Sequence, residues 1–269
     1  MEQTVQKALN VLEALVNAGQ PRRLTEVARE LGLTKPNVYR LLSTLSILGY
    51  VKKDEATTLY SPTLKLWELG SILVRDVDLV GVAGPRLRRL ADETRESVQL
   101  AVFDSGYVVY VDKVDSPQPL KATTNIGSRV PATVTSTGKA LLAWMPKDAL
   151  DQAMEHARRF TPLSLVRRRE VEKDLDETRT RGYAINRGEF RAGVCGIAAP
   201  IRDRDGKVVA SINVWGAEIN ILGARRDELA RCILLAASDV SRQLGYLPPG
   251  ATRRIVSGAA DTRGTRRAN

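Results

Sequence analysis

The sequence predicts an α+β chain in two parts, a small helical unit closed by one hairpin and a larger unit of hairpins covered by helices. Three observations lead there. Apolar residues recur at helical spacing through residues 4–46, the pattern changes to alternation from Ser97, and glycine-containing turns separate the alternating runs. A chain of 269 residues has ample length for two such cores.

The first helix, residues 4–18, carries Val5, Ala8, Leu9, Leu12, Leu15 and Val16 on one stripe and stops at Gly19. A second short helix presents Val27, Ala28 and Leu31, and Gly32 stands where a left-handed residue ends it. Leu33 fills the turn. Thr34 is placed to N-cap a third helix, with Pro36 tolerated in its first turn. There Val38, Leu41, Leu42 and Leu45 follow the i, i+3, i+4, i+7 rule and face inward. After Gly49 a strand (50–53), a polar turn (Asp54-Glu55-Ala56) and a return strand ending near Ser61-Pro62 form a wing.

Residues 1–62 therefore read as a winged helix-turn-helix, whose third helix has the dimensions of the B-DNA major groove. Its outward residues are Thr34, Lys35, Asn37, Tyr39, Arg40, Ser43 and Thr44, which supply donors, one aromatic ring and two cations but no carboxylate. Lys52 and Lys53 on the wing strand add candidate phosphate contacts. From Thr34 to Lys53 the chain has four positive charges and no negative one. The expected partner is double-stranded DNA.

Net charge is +10, yet it does not by itself locate a DNA surface. Residues 1–62 carry only +2, the last twenty residues +4, and the rest is spread over the middle. Two cysteines, Cys195 and Cys232, lack CxxC spacing, which argues against a disulfide framework or a thiolate zinc site. Met1-Glu2-Gln3-Thr4 leads directly into an amphipathic helix, and no apolar run approaches the roughly 18 residues that span a bilayer. A cytoplasmic location without a membrane partner is the expectation.

Beyond the wing, Leu64, Trp67, Ile72 and Leu73 recur at helical spacing, which makes 63–78 a linker helix. The second unit spans 79–247. It opens with a helix over 79–94, with a break expected at Gly84-Pro85. Strands follow at 97–103 and 107–114 around Asp104-Ser105-Gly106, then a loop at 127–131 and helices at 136–144, 147–159 and 170–181. Further strands lie at 184–186, 195–201 and 208–215. A closing helix over 225–244 turns Leu229, Cys232, Ile233, Ala236, Val240 and Leu244 inward. Residues 248–269 are rich in Gly, Arg and Ala, and read as a disordered basic tail.

Enzyme readings of the second unit fail on chemistry. Thr135-Ser136-Thr137-Gly138-Lys139 looks like the end of a P-loop, but Thr133 occupies the first glycine position and Ala140 the Ser/Thr position. His156 is the only histidine and lies on a polar helix, so a Cys195–His156 pair would need tertiary coincidence. No metal, cofactor or catalytic constellation is expected. What remains is a small-molecule pocket, with 128–138 and 182–196 supplying the glycines and small polar residues that let backbone amides approach a ligand. The plainer account is that these glycines serve turns and close packing.

Three separated segments carry a resemblance: TKPNVYRLLSTLSILGYV, GSRVPATVTSTGKALLAW and GYAINRGEFRAGVCGIAAPIRDRDGKVVASINVWG. In this order they resemble the IclR (isocitrate lyase regulator) family of bacterial transcription factors over about residues 3–246. The resemblance implies a GAF-like effector domain after the linker helix, homodimers or dimers of dimers, and control of a catabolic operon by a small organic acid, aromatic acids included. By position it places Val130, Ser136, Thr137, Asn186, Cys195, Gly196, Asn213 and Trp215 at the effector pocket. Several depart from the family's pattern. Asn186 stands where aspartate is common, the usual cysteine falls at Gly196 with Cys195 one place early, and Asn213 and Trp215 replace serines. Cys195 would then face the other side of a strand, and the tryptophan implies a ligand flatter or larger than a small keto acid. Arg129, Arg187 and Arg191 are near enough in sequence to meet a ligand carboxylate. The other class in view is a constitutive or architectural DNA-binding protein whose second domain only oligomerises.

Overall fold

A computed structural model describes residues 3–75, 79–117 and 124–247, with the side chains of 71–75 left aside, and the chain divides into two compact units at 78/79. The first unit contains α1 (Gln3–Asn17), α2 (Leu24–Glu30), α3 (Lys35–Ile47), β1 (Val51–Lys53), β2 (Tyr60–Pro62) and α4 (Lys65–Arg75). Its core is the expected one around α3: Val38, Leu41, Leu42 and Leu45 pack with Val27 and Ala28 of α2 and with Val51 and Tyr60 of the wing. Gly32 and Gly49 take φ of +63° and +79°, where a Cβ would be strained. The wing also gains a third edge, because Arg22 and Tyr60 exchange backbone hydrogen bonds at 2.9 and 2.8 Å.

Two expectations for this unit need correction. On α1 the buried residues are Val11, Leu12, Ala14 and Leu15, whereas Val5, Leu9 and Val16 are 57, 52 and 46% exposed. The helix carries two adjacent apolar lines, and the rest of the unit covers only the one through Val11 and Leu15. Thr34 has the extended backbone of an N-cap, but its hydroxyl makes no capping bond. α4, which falls within the expected linker, begins at Lys65, whose Nζ donates to the Leu48 carbonyl at 2.6 Å and sits 4.7 Å from the Tyr50 ring centre. Leu64 and Trp67 are 76 and 73% exposed. The side chains of Ile72 and Leu73, the end of the expected linker at 76–78 and the tail from 248 onward lie outside the described residues.

The second unit contains α5 (Leu79–Thr94), β3 (Ser97–Asp104), β4 (Tyr107–Val114), β5 (Arg129–Pro131), a 3-10 turn (Ala132–Val134), α6 (Ser136–Leu142), α7 (Lys147–Glu155), α8 (Arg168–Arg181), β6 (Ala184–Arg187), β7 (Val194–Arg202), β8 (Val208–Ala217), α9 (Glu218–Ile221) and α10 (Arg226–Gln243). One antiparallel sheet runs β5-β4-β3-β8-β7-β6. Helices cover both of its faces, which makes the whole an α+β protein as the sequence predicts.

Strand alternation divides the sheet's side chains. Val98, Leu100, Cys195, Ile197, Ala199, Ile201, Ile212 and Val214 pack against α5 and α10. On the other face Ala184 and Ala198 meet Ala140 of α6, and Val108, Tyr110 and Val130 join the core under α7 and α8.

Five local features differ from expectation. α5 runs unbroken through Pro85; burial of Leu79, Leu87 and Leu90, at roughly 1.5–3 kcal/mol each, outweighs one missing hydrogen bond. The 127–131 segment includes strand β5, too short at three residues to show a period. α9 was not expected, and α7 ends at Glu155 rather than 159. Cys232 is only half-buried, at the margin of the stripe formed by Leu229 and Ile233.

Candidate functional site

The outward face of α3 has the composition expected of it, with one refinement. Lys35, Arg40 and Thr44 are exposed, Tyr39 is 58% exposed, and Asn37 and Ser43 are half-buried. Ser43 Oγ donates to the Tyr39 carbonyl at 2.8 Å and Thr44 Oγ1 to the Arg40 carbonyl at 3.0 Å. Both hydroxyl protons are thus directed into their own helix, leaving Lys35, Asn37, Tyr39 and Arg40 as its outward donors.

The wing tip is less basic than its lysines suggest. Lys53 Nζ donates to Glu55 Oε2 at 2.9 Å, and that carboxylate raises the lysine's pKa. Asp54 accepts the Ala56 and Thr57 N–H groups, which holds its carboxyl below the ordinary range. Lys52 is exposed and makes no ion pair among the described residues. Lys35, Arg40 and Lys52 are therefore the uncompensated cations of this face.

In the second unit a cavity of about 360 Å³ opens between the polar side of the sheet and the β4–β5 and β6–β7 loops. It brings together Val130, Ser136, Asn186, Cys195, Gly196, Asn213 and Trp215 from the expected set, although they lie on β5, α6, β6, β7 and β8. Thr137 is the exception: it is fully buried, does not line the cavity, and its Oγ1 lies 3.3 Å from Thr135 Oγ1. The start of α6 is partly closed to a ligand, since Thr135 Oγ1 accepts the Gly138 N–H at 3.0 Å.

Several expected residues line the cavity in roles set by their partners. Asn186 donates from Nδ2 to the Val134 carbonyl and accepts the Gly188 N–H at Oδ1, 2.8 Å away, so it braces the β6–β7 loop. An aspartate could not make the first of these bonds. Cys195 borders the cavity but packs in the core on the opposite face with Ile197, and burial pushes its thiol up to about 11. A thiol held neutral in this way is no nucleophile.

Gly196 lies opposite Trp215 in the β7–β8 ladder. A Cβ added at Gly196 would approach Ser136 Oγ to 2.8 Å and Trp215 Cβ to 3.3 Å. Glycine here makes room for the Ser136 hydroxyl and the Cβ of Trp215.

Sequence reasoning missed four cavity residues of consequence: Gln99, Tyr110, Thr135 and Phe190. Gln99 had a visible signal, being a polar residue between Val98 and Leu100 and so on the face opposite them. Its amide faces Asn213, whose Nδ2 donates to Gln99 Oε1 at 3.4 Å. Gln99 Nε2, Asn213 Oδ1 and Trp215 Nε1 are buried and have no hydrogen-bond partner. Of the three candidate arginines, Arg129 lines the cavity while paired with Asp104, and Arg187 turns to Asp174 at 3.6 Å outside the lining. Arg191 lines the cavity, is exposed, and has no ion pair among the described residues.

The P-loop-like segment has a different structural purpose. Gly138 lets α6 rest on the backbone of Ala132, where a Cβ would come within 2.1 Å of the carbonyl oxygen. Lys139 is fully buried; its Nζ donates to Glu189 Oε1 at 2.8 Å and lies 2.9 Å from Asp174 Oδ2 without hydrogen-bond alignment. It ties α6 and α8 to the loop that carries Phe190 and Arg191.

A winged helix-turn-helix unit followed along the chain by a cavity-bearing α+β unit is the build of a DNA-binding transcriptional regulator. The chain belongs to the IclR family: its residues 4–55 match the IclR helix-turn-helix domain and residues 72–242 the bacterial transcriptional regulator IclR C-terminal domain. It is 34% identical to the HTH-type transcriptional regulator KdgR of Escherichia coli (strain K12), over 90% of this chain and 93% of that protein. The crystal structure of the Thermotoga maritima IclR matches with a TM-score of 0.76 at 27% identity, covering 91% of this chain and all of that one. An IclR homologue from Microbacterium hydrocarbonoxydans complexed with 4-hydroxybenzoate gives 0.77 at 22% identity, covering 90% and 98%, a likeness of fold. These relatives are regulators rather than enzymes, and among the described residues no helix is long and apolar enough to cross a membrane.

Proposed function

We propose that this regulator binds operator DNA through α3 and the wing and that a small organic acid, aromatic acids included, occupies the cavity of the second unit to alter that binding. The observation that carries the reading is the cavity itself. It is lined by two arginines and no carboxylate, and three buried polar atoms on its wall lack partners. Lys35, Asn37, Tyr39 and Arg40 contact bases or nearby phosphates, with Thr34, Ser43, Thr44 and Lys53 at the edges and Lys52 on the backbone. Val130, Ser136, Asn186, Gly196, Asn213 and Trp215 surround the acid, while Thr137 and Cys195 support it from behind.

The protein acts in the cytoplasm as a homodimer or a dimer of dimers and controls a catabolic operon. The exposed line Val5, Leu9 and Val16 on α1 and the exposed Leu64 and Trp67 at the linker support self-association. Acid binding favours one of two arrangements of the dimer's reading heads. A coupling of about 1–3 kcal/mol, or roughly 5–150-fold in DNA affinity, suffices. Sequencing the genomic fragments retained by the purified protein, then titrating organic acids against the retained fragment, tests this. The expected result is a discrete operator whose affinity shifts with one class of acid. Retention of fragments that no acid changes would leave only a constitutive DNA-binding protein.

A further inference from the structure

Three buried polar atoms share one wall of the cavity. Gln99 and Asn213 are direct partners across β3 and β8, and Trp215 follows two residues on along the same face. All three residues are under 10% exposed. The Gln99–Asn213 contact uses one donor and one acceptor, leaving Gln99 Nε2 to donate and Asn213 Oδ1 to accept. Turning both amides over leaves Gln99 Oε1 to accept and Asn213 Nδ2 to donate, so either orientation presents one donor and one acceptor. Trp215 Nε1 adds a second donor that cannot reverse.

Two donors beside one acceptor match a hydroxyl, which both accepts and donates, and a ketone or methyl group leaves the acceptor unmet. The exposed end of the cavity differs. There Arg191 and the partly exposed Phe190 stand on the β6–β7 loop, anchored beneath by the buried Lys139–Glu189 pair. No carboxylate lines the cavity.

We infer that Gln99, Asn213 and Trp215 form a hydroxyl-reading subsite, and that the effector is a hydroxy acid bound with its hydroxyl on this wall and its carboxylate toward Arg191. This rests on the effector reading of the cavity and specifies its chemistry. An acid lacking a hydroxyl away from its carboxylate forfeits the buried contacts and binds more weakly, because a site built for a hydroxyl rejects the analogue without one.

Calorimetric titration of the full chain with two matched pairs tests it: gluconate against hexanoate, and 4-hydroxybenzoate against benzoate. The expected result is at least about tenfold tighter binding of the hydroxylated member in one pair, which also tells an aliphatic polyol acid from an aromatic one. Trp215→Phe keeps the ring and removes the N–H, and Gln99→Leu removes the amide; each is expected to reduce that preference severalfold while DNA binding persists. Equal binding within both pairs, or an undiminished preference in Trp215→Phe, overturns the subsite while leaving the cavity an acid site. No binding by any of the four acids overturns the subsite and the effector reading together.

Discussion

Gly196 and Trp215 stand opposite each other across the β7–β8 ladder, and a Cβ at position 196 would crowd the Trp215 Cβ and, more closely, the Ser136 hydroxyl. The consequence is a one-way incompatibility. Gly196→Cys is expected to crowd Ser136 and Trp215 and to cost about 1–3 kcal/mol, the usual range for overpacking. Adding Ser136→Ala, which removes the nearest atom, is expected to recover much of that loss. Urea melts of the two single variants and the double variant measure the coupling, and additive losses would mean that the two positions are independent.

Lys139→Met is expected to destabilise the second unit by about 3–5 kcal/mol, because it leaves Glu189 buried without its ion-pair partner and Asp174 with only the longer contacts to Arg181 and Arg187. Lys139→Met combined with Glu189→Gln relieves part of the loss. Thermal unfolding followed by circular dichroism reads both, and a small loss in the single variant would mean that water reaches the pair.

On the DNA face, Arg40→Ala is expected to cost about 1–3 kcal/mol and to relax sequence preference, as loss of a base contact does. Lys52→Ala is expected to weaken binding evenly across sequences and to lower the salt slope by about one. Mobility shifts at several salt concentrations separate the two. Lys53→Ala should do less than Lys52→Ala, because Glu55 already neutralises Lys53.

These features differ in how far the sequence revealed them. The third helix of the reader was legible down to its buried residues, because Gly32, Pro36 and the stripe of Val38, Leu41, Leu42 and Leu45 all depend on local geometry. α1 was read less well, since spacing alone cannot tell which of two adjacent apolar lines will find a partner. The cavity was half visible. Its glycines and small polar residues stood out, and the family resemblance gave most positions, but Gln99 meets Asn213 only through a strand pairing 114 residues apart in sequence. The purpose of Lys139 was hidden for the same reason, as its acidic partners come from a distant helix and loop.

Alkaline pH offers a test of the interior. Burial pushes the Tyr110 phenol up to about 12 from 10.0, offset in part by its hydrogen bond with Thr137. The folded state therefore favours the neutral phenol. Its contribution to stability is complete below pH 10 and is lost as pH rises through about 12, a span worth roughly 2–3 kcal/mol. Urea midpoints measured from pH 9 to 12 should fall more steeply for the wild type than for Tyr110→Phe. Parallel curves would place that hydroxyl in contact with solvent.

The division of the sheet by strand alternation bears on how such a regulator diversifies. Residues that hold the fold, such as Val98, Ile197 and Val214, and residues that border the cavity, such as Gln99, Gly196 and Trp215, alternate along the same strands but point to opposite sides. Chemical selectivity can consequently drift by exchanges on one side while the hydrocarbon seam on the other stays intact. A lineage of sensors is free to change what it detects without relearning how to fold.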